Sequence, residues 1–332
     1  MSALLEITDL TVGYETAAGQ RVVLVDSVSL RLEEGEVLCL VGESGSGKSV
    51  TMLAALGLLP PALTIFDGSV KLRGDELVGA DDETLRRLRG AELGMVFQDP
   101  MTTLNPVRRV GTQIGRALAV HQHLDARTRK RRVVELLASV GIPQAAERAR
   151  AYPHQWSGGM RQRAVIAMAM ANDPAVLIAD EPTTALDVTV QAQLMEVLAQ
   201  ARARSGAAMV LITHDLGLVA QYADRVAIMY AGRVVESGTV WQIFDDAAHP
   251  YTRGLQAGLL GQAGAGRAYA IPGSPPSPAK RTTGCGFAPR CEFAGKSGDC
   301  DTTVPPLVAA LDGRALACPP ALAVPLREDI SA

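Results

Sequence analysis

One eight-residue segment constrains this chain more than any other: residues 42–49 read Gly-Glu-Ser-Gly-Ser-Gly-Lys-Ser. The segment follows a continuous apolar run at 37–41 and precedes a helical pattern at 50–58. It therefore matches G-x-x-x-x-G-K-[ST] in the strand–loop–helix context that this pattern requires. Glycines let successive backbone N–H groups turn inward around a phosphate, and the following helix N-terminus adds partial positive charge. We expect Lys48 to neutralise the terminal phosphates of a nucleotide and the Ser49 hydroxyl to bind Mg²⁺.

Further apolar runs predict an α/β fold class. Continuous apolar stretches at 175–179 and 208–212 resemble the one at 37–41, and a helical pattern at 190–204 separates them. Continuous apolar runs are typical of buried parallel strands. The order strand, helix, strand therefore predicts a parallel sheet with helices on its faces.

The remaining segments predict smaller structures around this sheet. A helical insert is expected at about 106–150, and a hairpin is expected at 226–235, with Ala231 and Gly232 at its turn. Short β-branched segments separated by polar turns predict antiparallel strands at 4–7, 10–12, 22–25 and 28–32.

Composition excludes several classes of protein. Apolar residues make up 48% of the 332 residues, so the chain can bury a sizeable core. No apolar run approaches the ~18–20 residues of a membrane-spanning helix, and the start lacks a basic leader, so we expect a cytoplasmic location. The net charge of −3 argues against a protein that binds nucleic acid over its whole surface. The basic run at 127–132 is interpreted as a solvated helix face, with nucleic acid or anionic lipid as the alternative.

Two acids follow a second apolar strand and complete the expected nucleotide site. Asp180 ends the apolar run and Glu181 comes next. Alone, such a pair is often a helix cap or a solvated loop. Beside a phosphate loop, we expect Asp180 to hold Mg²⁺ through a water and Glu181 to orient or deprotonate the attacking water.

A second phosphate-binding helix end is predicted at 156–163, Trp-Ser-Gly-Gly-Met-Arg-Gln-Arg, just before an apolar helix. Ser157 can cap that helix, and the glycines expose its first N–H groups. Two such ends in one chain suggest two chains that sandwich ATP, each lending one end to the other's nucleotide. A plain serine cap with a glycine turn is the alternative interpretation.

With these motifs the chain resembles the ATP-binding cassette (ABC) ATPases over roughly residues 4–250. The family favours Leu-Ser-Gly-Gly-Gln where this chain has Trp-Ser-Gly-Gly-Met, so Trp156 and Met160 depart from the pattern at its flanks. The resemblance implies a RecA-like parallel-sheet core, an antiparallel β subdomain and a helical subdomain at about 100–165. The composition becomes proline-rich and loop-like after about residue 254, which predicts a nucleotide-binding domain at 1–255 and a small extension at 256–332.

The resemblance assigns roles residue by residue. Tyr14 would stack on adenine, Gln98 would sense Mg²⁺ and the γ-phosphate, and His214 would act as the switch histidine beside the catalytic Glu181. Mg²⁺ would be held by Ser49, Gln98 and Asp180. The residues of the opposite subunit at each nucleotide would be Ser157, Gly158, Gly159 and Asp187. The ATP-binding residues would be Tyr14, Gly42, Ser44, Gly45, Ser46, Gly47, Lys48, Ser49, Val50 and Asp180.

Three further segments resemble the dipeptide/oligopeptide importer ATPases of the peptide/nickel group: 98–106, 152–155 and 249–252. This resemblance implies two membrane permease subunits, a second and homologous ATPase subunit, an extracytoplasmic binding protein that acts indirectly, and a peripheral location at the cytoplasmic face of the inner membrane. The permease would dock after Gln98, where Met101, Leu104 and Pro106 offer an apolar socket.

Other functions stay open at this point. Importers of nickel, glutathione or oligosaccharides use related cassettes. A soluble ABC ATPase of DNA repair or translation is a more distant alternative, since the chain shows one cassette and no coiled-coil insert. A metal-sensing scaffold with a vestigial ATP site is a third.

Four cysteines crowd into the extension: Cys285, Cys291, Cys300 and Cys318. Structural disulfides are not expected in a reducing cytoplasm, and the spacing does not match the usual C-x₂₋₄-C pairs of zinc sites. The residues alone leave a metal site or free thiols open. The importer resemblance implies a [4Fe–4S] cluster on these four thiols, and a small proline-rich extension would gain from such a staple.

Overall fold

The structure is a computed structural model, and it describes residues 3–184, 187–263, 270–280, 282–293, 295–310 and 312–322. The chain divides into two compact units, each built from several segments. The first unit comprises 1–5, 32–36 and 72–212, and the second comprises 6–31, 37–71 and 213–332. Ala185 and Leu186, which together with Asp187 match the loop that touches the opposite subunit in the family that the chain resembles, lie outside the described residues.

The strands, in chain order, are β1 Leu5–Glu15, β2 Arg21–Leu32, β3 Val37–Val41, β4 Thr64–Leu72, β5 Asp75–Glu76, β6 Leu93–Val96, β7 Val176–Asp180, β8 Ala208–Thr213, β9 Arg225–Tyr230, β10 Arg233–Thr239, β11 Val308–Ala309 and β12 Ala315–Leu316.

The helices are α1 Lys48–Ala55, α2 Asp82–Leu88, α3 Pro100–Thr103, α4 Val110–His121, α5 Ala126–Ser139, α6 Ala145–Arg148, α7 Gly158–Ala169, α8 Val188–Ser205, α9 Leu216–Tyr222, α10 Val240–Asp245, α11 Pro250–Ala263 and α12 Pro319–Leu322. None of the described helices combines the length and the apolar character that crossing a bilayer requires.

The first unit contains a parallel sheet of β6, β7 and β8. Leu93 lies opposite Val176, and Val176 lies opposite Ala208. Every residue of β7 and β8 is buried, which explains their continuous apolar sequences. The predicted strand–helix–strand unit is confirmed, with α8 as its helix. Because parallel strands end at one edge, the carboxyl ends of β6 and β7 bring Gln98 and Asp180 to the same edge of this sheet.

The predicted helical insert is also confirmed, as α4, α5 and α6. The apolar positions of its sequence face inward: Ile114, Leu118 and Leu137 are fully buried. The basic run of α5 lies largely at its surface, where Arg131 and Arg132 pair with Glu135.

In the second unit, β1 and β2 differ from the sequence prediction of four short strands. Each is one continuous strand that contains a residue with positive φ, Asp9 at 48° and Ser27 at 50°. Side chains of the neighbouring strand satisfy these irregular points, since Asp9 N–H donates to Ser29 Oγ and Ser27 N–H donates to Thr11 Oγ1. The polar residues therefore mark local irregularities and not strand ends.

The hairpin prediction is confirmed by β9 and β10, which pair antiparallel. Ala231 and Gly232 form the two-residue turn with φ values of 47° and 83°, as a type I′ turn requires. On its other side β9 pairs in parallel with β3. The carboxyl end of β3 and the hairpin turn thereby flank residues 42–49 in this unit.

The C-terminal segment adds strands to the same hairpin. β12 pairs antiparallel with β10, and β11 pairs with β12. Arg314, 2% exposed, donates to Asp312 and Asp246 and lies 3.5 Å from the buried Glu236. Ala248, Leu316, Cys318 and Ala321 form an apolar cluster beneath this pairing.

Candidate nucleotide site

The phosphate loop lies in the second unit, between β3 and α1. Gly45 and Gly47 adopt φ values of 78° and 103°, a region that residues with a Cβ rarely enter. Gly42 has no room for a side chain, because a Cβ there would collide with the carbonyl oxygen of Met229. The glycine pattern therefore reflects both the curvature of the loop and its close packing against β9.

Lys48 lies inside this loop, with 5% of its surface exposed. Its Nζ donates to the carbonyl oxygens of Gly42, at 2.8 Å, and Glu43, at 2.9 Å. Thr51 Oγ1 donates to the carbonyl of Gly47 one turn into α1. These bonds hold the ammonium at the helix N-terminus, where charge and backbone N–H groups together suit a phosphate.

Distant parts of the second unit also hold the loop. The Glu43 N–H donates to Tyr251 Oη at 3.0 Å, and the Gly232 N–H donates to the Ser46 carbonyl at 3.0 Å. The Glu43 carboxylate accepts two bonds from Arg290. Burial raises the pKa of Tyr251, so its hydroxyl stays protonated across the physiological range.

Acidic and amide side chains meet in the first unit at the ends of β6 and β7. Gln98 Nε2 donates to Glu181 Oε2 at 3.1 Å, and Thr184 Oγ1 donates to the same oxygen at 2.9 Å. Glu181 has a φ of 43°, and its N–H donates to the carbonyl of Ile212. Asp180, one residue earlier, is 7% exposed at the end of β7. Two of the predicted catalytic residues, Gln98 and Glu181, are thus in direct contact.

The second predicted helix end is also in the first unit. Ser157 caps α7 and accepts from the Met160 N–H, as predicted. Gly158 and Gly159 are the first residues of the helix, and a Cβ on Gly159 would come 3.2 Å from Val190 Cγ1. Asp187 caps α8 by accepting from the Val190 N–H. This unit therefore brings the Ser-Gly-Gly segment and the start of α8 together.

The other predicted residues take these positions. Ser49 and Val50 lie in the first turn of α1, Ser44 lies in the loop, and Tyr14 is half-buried on β1, all in the second unit. His214 is exposed just after β8. Met101 is exposed in the segment after Gln98, but Leu104 is 2% exposed, so the predicted docking socket is wrong at Leu104. Leu104 turns inward as the last residue of the turn that Asp99 caps.

Four free thiols gather in the C-terminal segment. Cys285, Cys300 and Cys318 line one cavity of about 630 Å³, and the Cys285 N–H donates to the Cys300 carbonyl. Burial raises the pKa of Cys318 to about 11, and the three neighbouring thiols, Cys291 among them, add to that rise. Within the described part of the chain, no group of three or more His, Cys, Asp or Glu side chains stands ready to hold a metal ion.

Comparison with known proteins decides the family. Residues 25–184 match the family model described as ABC transporter, and residues 235–300 match the one described as oligopeptide/dipeptide transporter, C-terminal region. A candidate peptide import ATP-binding protein of Brucella abortus is 49% identical over 320 residues, which cover 96% of this chain and 95% of that protein. The chain belongs to the ABC transporter family. This confirms the family that its motifs indicated.

Other relatives extend this comparison. The oligopeptide transport ATP-binding protein OppD of Mycobacterium tuberculosis is 51% identical over 321 residues. These residues cover 96% of this chain and 52% of OppD, so the chain spans about half the length of that relative.

Solved structures of ABC ATPases confirm the α/β fold. The cassette MJ0796, solved as a dimer in a post-hydrolysis state with ADP and Pi, superposes with a TM-score of 0.64 at 26% identity, covering 71% of this chain and 98% of that one. The protein cbiO1 of Clostridium perfringens, part of the transporter complex cbiONQ, gives a TM-score of 0.63 at 25% identity, covering 79% and 99%.

Some residues of the site were not predicted from the sequence. Glu43 occupies a variable position of the phosphate-loop pattern, and Thr184, Tyr251 and Arg290 belong to no pattern that carries chemistry. Of these residues, only Thr184 lies close enough in sequence to a predicted site residue to be found from the sequence, because it follows Glu181 by three positions. Arg290 lies 247 residues from Glu43, so no spacing rule connects them.

Proposed function

We propose that this chain is the ATP-hydrolysing subunit of a transporter that imports di- or oligopeptides. The observation that carries the proposal is a phosphate loop with a buried lysine in one chain with a C-terminal region of the oligopeptide/dipeptide transporter type. The names of the relatives from Brucella abortus and Mycobacterium tuberculosis support the same substrate class.

The phosphate loop would bind the nucleotide. Lys48 would exchange its bonds to the Gly42 and Glu43 carbonyls for the β- and γ-phosphates, and the N–H groups of the glycine-rich turn would surround them. Tyr14 would stack on the adenine. Mg²⁺, which suits hydroxyl, amide and carboxylate oxygens, would be held by Ser49, Gln98 and Asp180 and would neutralise phosphate charge.

Glu181 would act on the attacking water. Gln98 and Thr184 both donate to Oε2, one of its two carboxylate oxygens. A general base needs a fixed direction toward the proton it takes, and these two bonds supply it. His214 would contact the γ-phosphate. The position of the chain after β8 would then depend on whether the γ-phosphate is present.

Two ATPase subunits would close on two ATP molecules, as each one's Ser157-Gly158-Gly159 helix end and Asp187 meet the other's nucleotide. We take the second subunit to be a homologue. The exposed Met101 and Pro106 would receive one of two permease subunits, and a binding protein outside the membrane would deliver substrate to those permeases. The chain would then sit peripherally on the cytoplasmic face of the inner membrane, without nucleic acid as a partner.

The hydrolytic part is tested by phosphate release with Mg²⁺ and ATP. Glu181→Gln keeps the shape and the two donated bonds but removes the base, so turnover is expected to fall by about 10²–10⁴-fold. The variant should also accumulate as an ATP-bound dimer on a sizing column. Rapid turnover by Glu181→Gln would overturn the role of Glu181.

The transport part is tested in vesicles that carry the permease subunits, the partner ATPase and the binding protein. We expect ATP-dependent uptake of a labelled peptide, abolished by Glu181→Gln. Nickel, glutathione and an oligosaccharide are offered in parallel, and uptake of one of these without the peptide would replace peptide as the substrate. Copurification with ribosomes or DNA in place of the permease would favour a soluble, non-transport ABC ATPase.

We further assign a [4Fe–4S] cluster to Cys285, Cys291, Cys300 and Cys318. Its support is the donor chemistry of four thiols, three of which line one cavity, and the rise that the other three thiols cause in the pKa of Cys318. When bound, the cluster would staple the proline-rich segment. Anaerobic purification should give a brown protein with about four irons per chain. Colourless protein without iron, from cells with active cluster assembly, would refute the assignment, and zinc in its place would replace it.

A further inference from the structure

A buried ion pair joins the cysteine-bearing segment to the phosphate loop. Arg290 Nη1 lies 2.9 Å from Glu43 Oε2, and Nη2 lies 3.2 Å from Glu43 Oε1. The pair is therefore bidentate, with 6% of the arginine side chain exposed and 27% of the glutamate side chain. Charge-assisted, two-point pairs of this kind fix geometry as well as charge.

The rest of the guanidinium group is also bonded, which fixes its orientation. Nε donates to the carbonyl of Pro272 at 2.7 Å, and Nη1 also donates to Tyr230 Oη at 3.2 Å. Tyr230 in turn contacts the ring of Phe287 edge-on, three residues before Arg290. Arg290 is thus held by its own segment and by β9, independently of Glu43.

Glu43 connects Arg290 to Lys48, whose ammonium group would contact the nucleotide. Its carbonyl oxygen accepts from Lys48 Nζ and from the Ser46 N–H, and its own N–H donates to Tyr251 Oη. A shift of Glu43 therefore moves an acceptor of the phosphate-binding lysine and the turn that begins at residue 43.

Arg290 also compensates a charge. Glu43 places a carboxylate in the loop that would receive a triphosphate, and like charges in a partly buried site repel strongly. Within the described residues, Arg290 is the cation that forms a salt bridge with Glu43. Without it, the glutamate would be left with a negative charge beside an anionic ligand.

We propose that Arg290 is a positioning residue for nucleotide binding, which holds Glu43 and so sets the shape and charge of the phosphate loop before ATP arrives. The inference rests on the proposed ATPase function of this loop. Because Arg290 acts on binding and the residues at Glu181 act on the water, its loss should raise KM for ATP and leave kcat nearly unchanged.

Charge compensation makes a rescue possible that a purely structural role does not predict. Arg290→Ala should raise the Kd for ATP by about 10-fold or more, since charged hydrogen bonds are lost and a carboxylate is left unpaired. Glu43→Gln alone should raise it by less than about 3-fold, because the amide still accepts a bond. The double variant should bind ATP more tightly than Arg290→Ala, because the repelling charge is gone.

A second buried arginine supplies the matched control. Arg314 lies in the same segment and is 2% exposed, and among the described residues it donates to Asp312 and Asp246 rather than to the phosphate loop. Arg314→Ala should lower the melting temperature at least as much as Arg290→Ala. It should leave the Kd for ATP within about 2-fold of the unmodified chain, because its partners belong to β10, α10 and their surroundings.

The experiment titrates the full chain with a fluorescent ATP analogue in the presence of Mg²⁺ and measures phosphate release and melting temperature for each variant. A folded Arg290→Ala with unchanged Kd would overturn the inference, as would a raised Kd that Glu43→Gln does not rescue. If Arg290→Ala fails to fold, Arg290→Lys replaces it: it keeps the charge but loses the two-point fork, so an increase in Kd of about 3-fold is expected.

The outcomes also separate this inference from the proposed function. Unmodified chain that binds the analogue but releases no phosphate with its partners present overturns the ATPase function alone. A chain that does not bind the analogue overturns both.

Discussion

The phosphate loop of the second unit contrasts with the acidic edge of the first unit, the place at the ends of β6 and β7 where Gln98 contacts Glu181. Lys48 is buried and bonded to two carbonyls, and Glu43 beside it is held by residues more than 200 positions away. Gln98 and Thr184 are exposed, and each contributes one bond to the half-buried Glu181. Buried packing and paired charges fix the conformation of the loop, whereas exposed side chains position Glu181 at the edge.

This difference separates binding from chemistry. A loop that is rigid before its ligand arrives avoids the cost of ordering backbone on binding. Exposed side chains such as Gln98 and Thr184 can adjust when a second protein surface reaches them, and such adjustable elements are drawn from the less stable parts of a fold. We therefore expect substitutions in the loop to change stability and activity together, and substitutions at the edge to change activity alone.

Lys48→Ala should have the largest effect within the loop and tests the first half of this expectation. Phosphate release is expected to fall by about 10²–10³-fold, the range seen when one charge-stabilising donor is removed. The melting temperature should fall as well, because the Gly42 and Glu43 carbonyls lose a buried donor. Lys71→Ala, on the exposed face of β4, is the control and should change neither quantity.

Thr184→Ala tests the second half of the expectation. The loss of one of the two bonds to Glu181 Oε2 should lower turnover by about 3–10-fold, as expected for about 1 kcal/mol. Differential scanning calorimetry should detect little change in stability, because the threonine is exposed. Thr189→Ala, also exposed and at the start of α8, should leave turnover unchanged. A large loss of stability in Thr184→Ala would break the contrast between loop and edge.

Acid should weaken the packing behind the loop through His249. Burial lowers the pKa of His249 to about 3, and its Nδ1 accepts from the N–H of Tyr251, the residue that bonds Glu43. The folded state therefore excludes a proton that the unfolded chain takes up below about pH 6.5, so stability is present above that pH and is lost as pH falls.

Between pH 7 and pH 5 this loss should amount to about 2 kcal/mol. Denaturant titrations of the unmodified chain and of His249→Asn, whose amide oxygen can accept the same bond, measure it as the difference between the two pH slopes. Glu236 has a pKa raised by burial and acts in the opposite direction, but it is present in both proteins and cancels. Equal slopes would show that His249 is not held neutral.

Ala231→Gly should have the smallest effect, and it should be stabilising. Ala231 adopts a φ of 47° in the turn next to Gly232, whose N–H supports the Ser46 carbonyl of the loop. Glycine adopts the left-handed conformation without strain but loses more entropy on folding than alanine does. The net effect should be an increase of about 0.5–1 kcal/mol in the free energy of unfolding. Urea unfolding measures this, and a loss of stability would mean that the Ala231 methyl group packs more tightly than its strain costs.

The sequence predicted the parts of the molecule that local patterns encode. The phosphate loop, the serine cap of α7 and the Ala231-Gly232 turn each depend on a few adjacent residues with fixed backbone requirements. The split of β1 and β2 was wrong because polar residues such as Asp9 are as compatible with a strand irregularity as with a turn. The pairing of Arg290 with Glu43 depends on tertiary packing alone and leaves no trace in residue spacing.

One pairing in the C-terminal segment decides how the protein can be shortened. β12 covers the free edge of β10, and Arg314 beside it neutralises the buried Glu236. A version that stops before residue 300 would present a bare row of backbone donors and acceptors above an uncompensated carboxylate. Strands of other chains can pair with such an exposed edge, so truncated preparations should precipitate or self-associate. Fusion partners or tags are therefore better attached beyond α12.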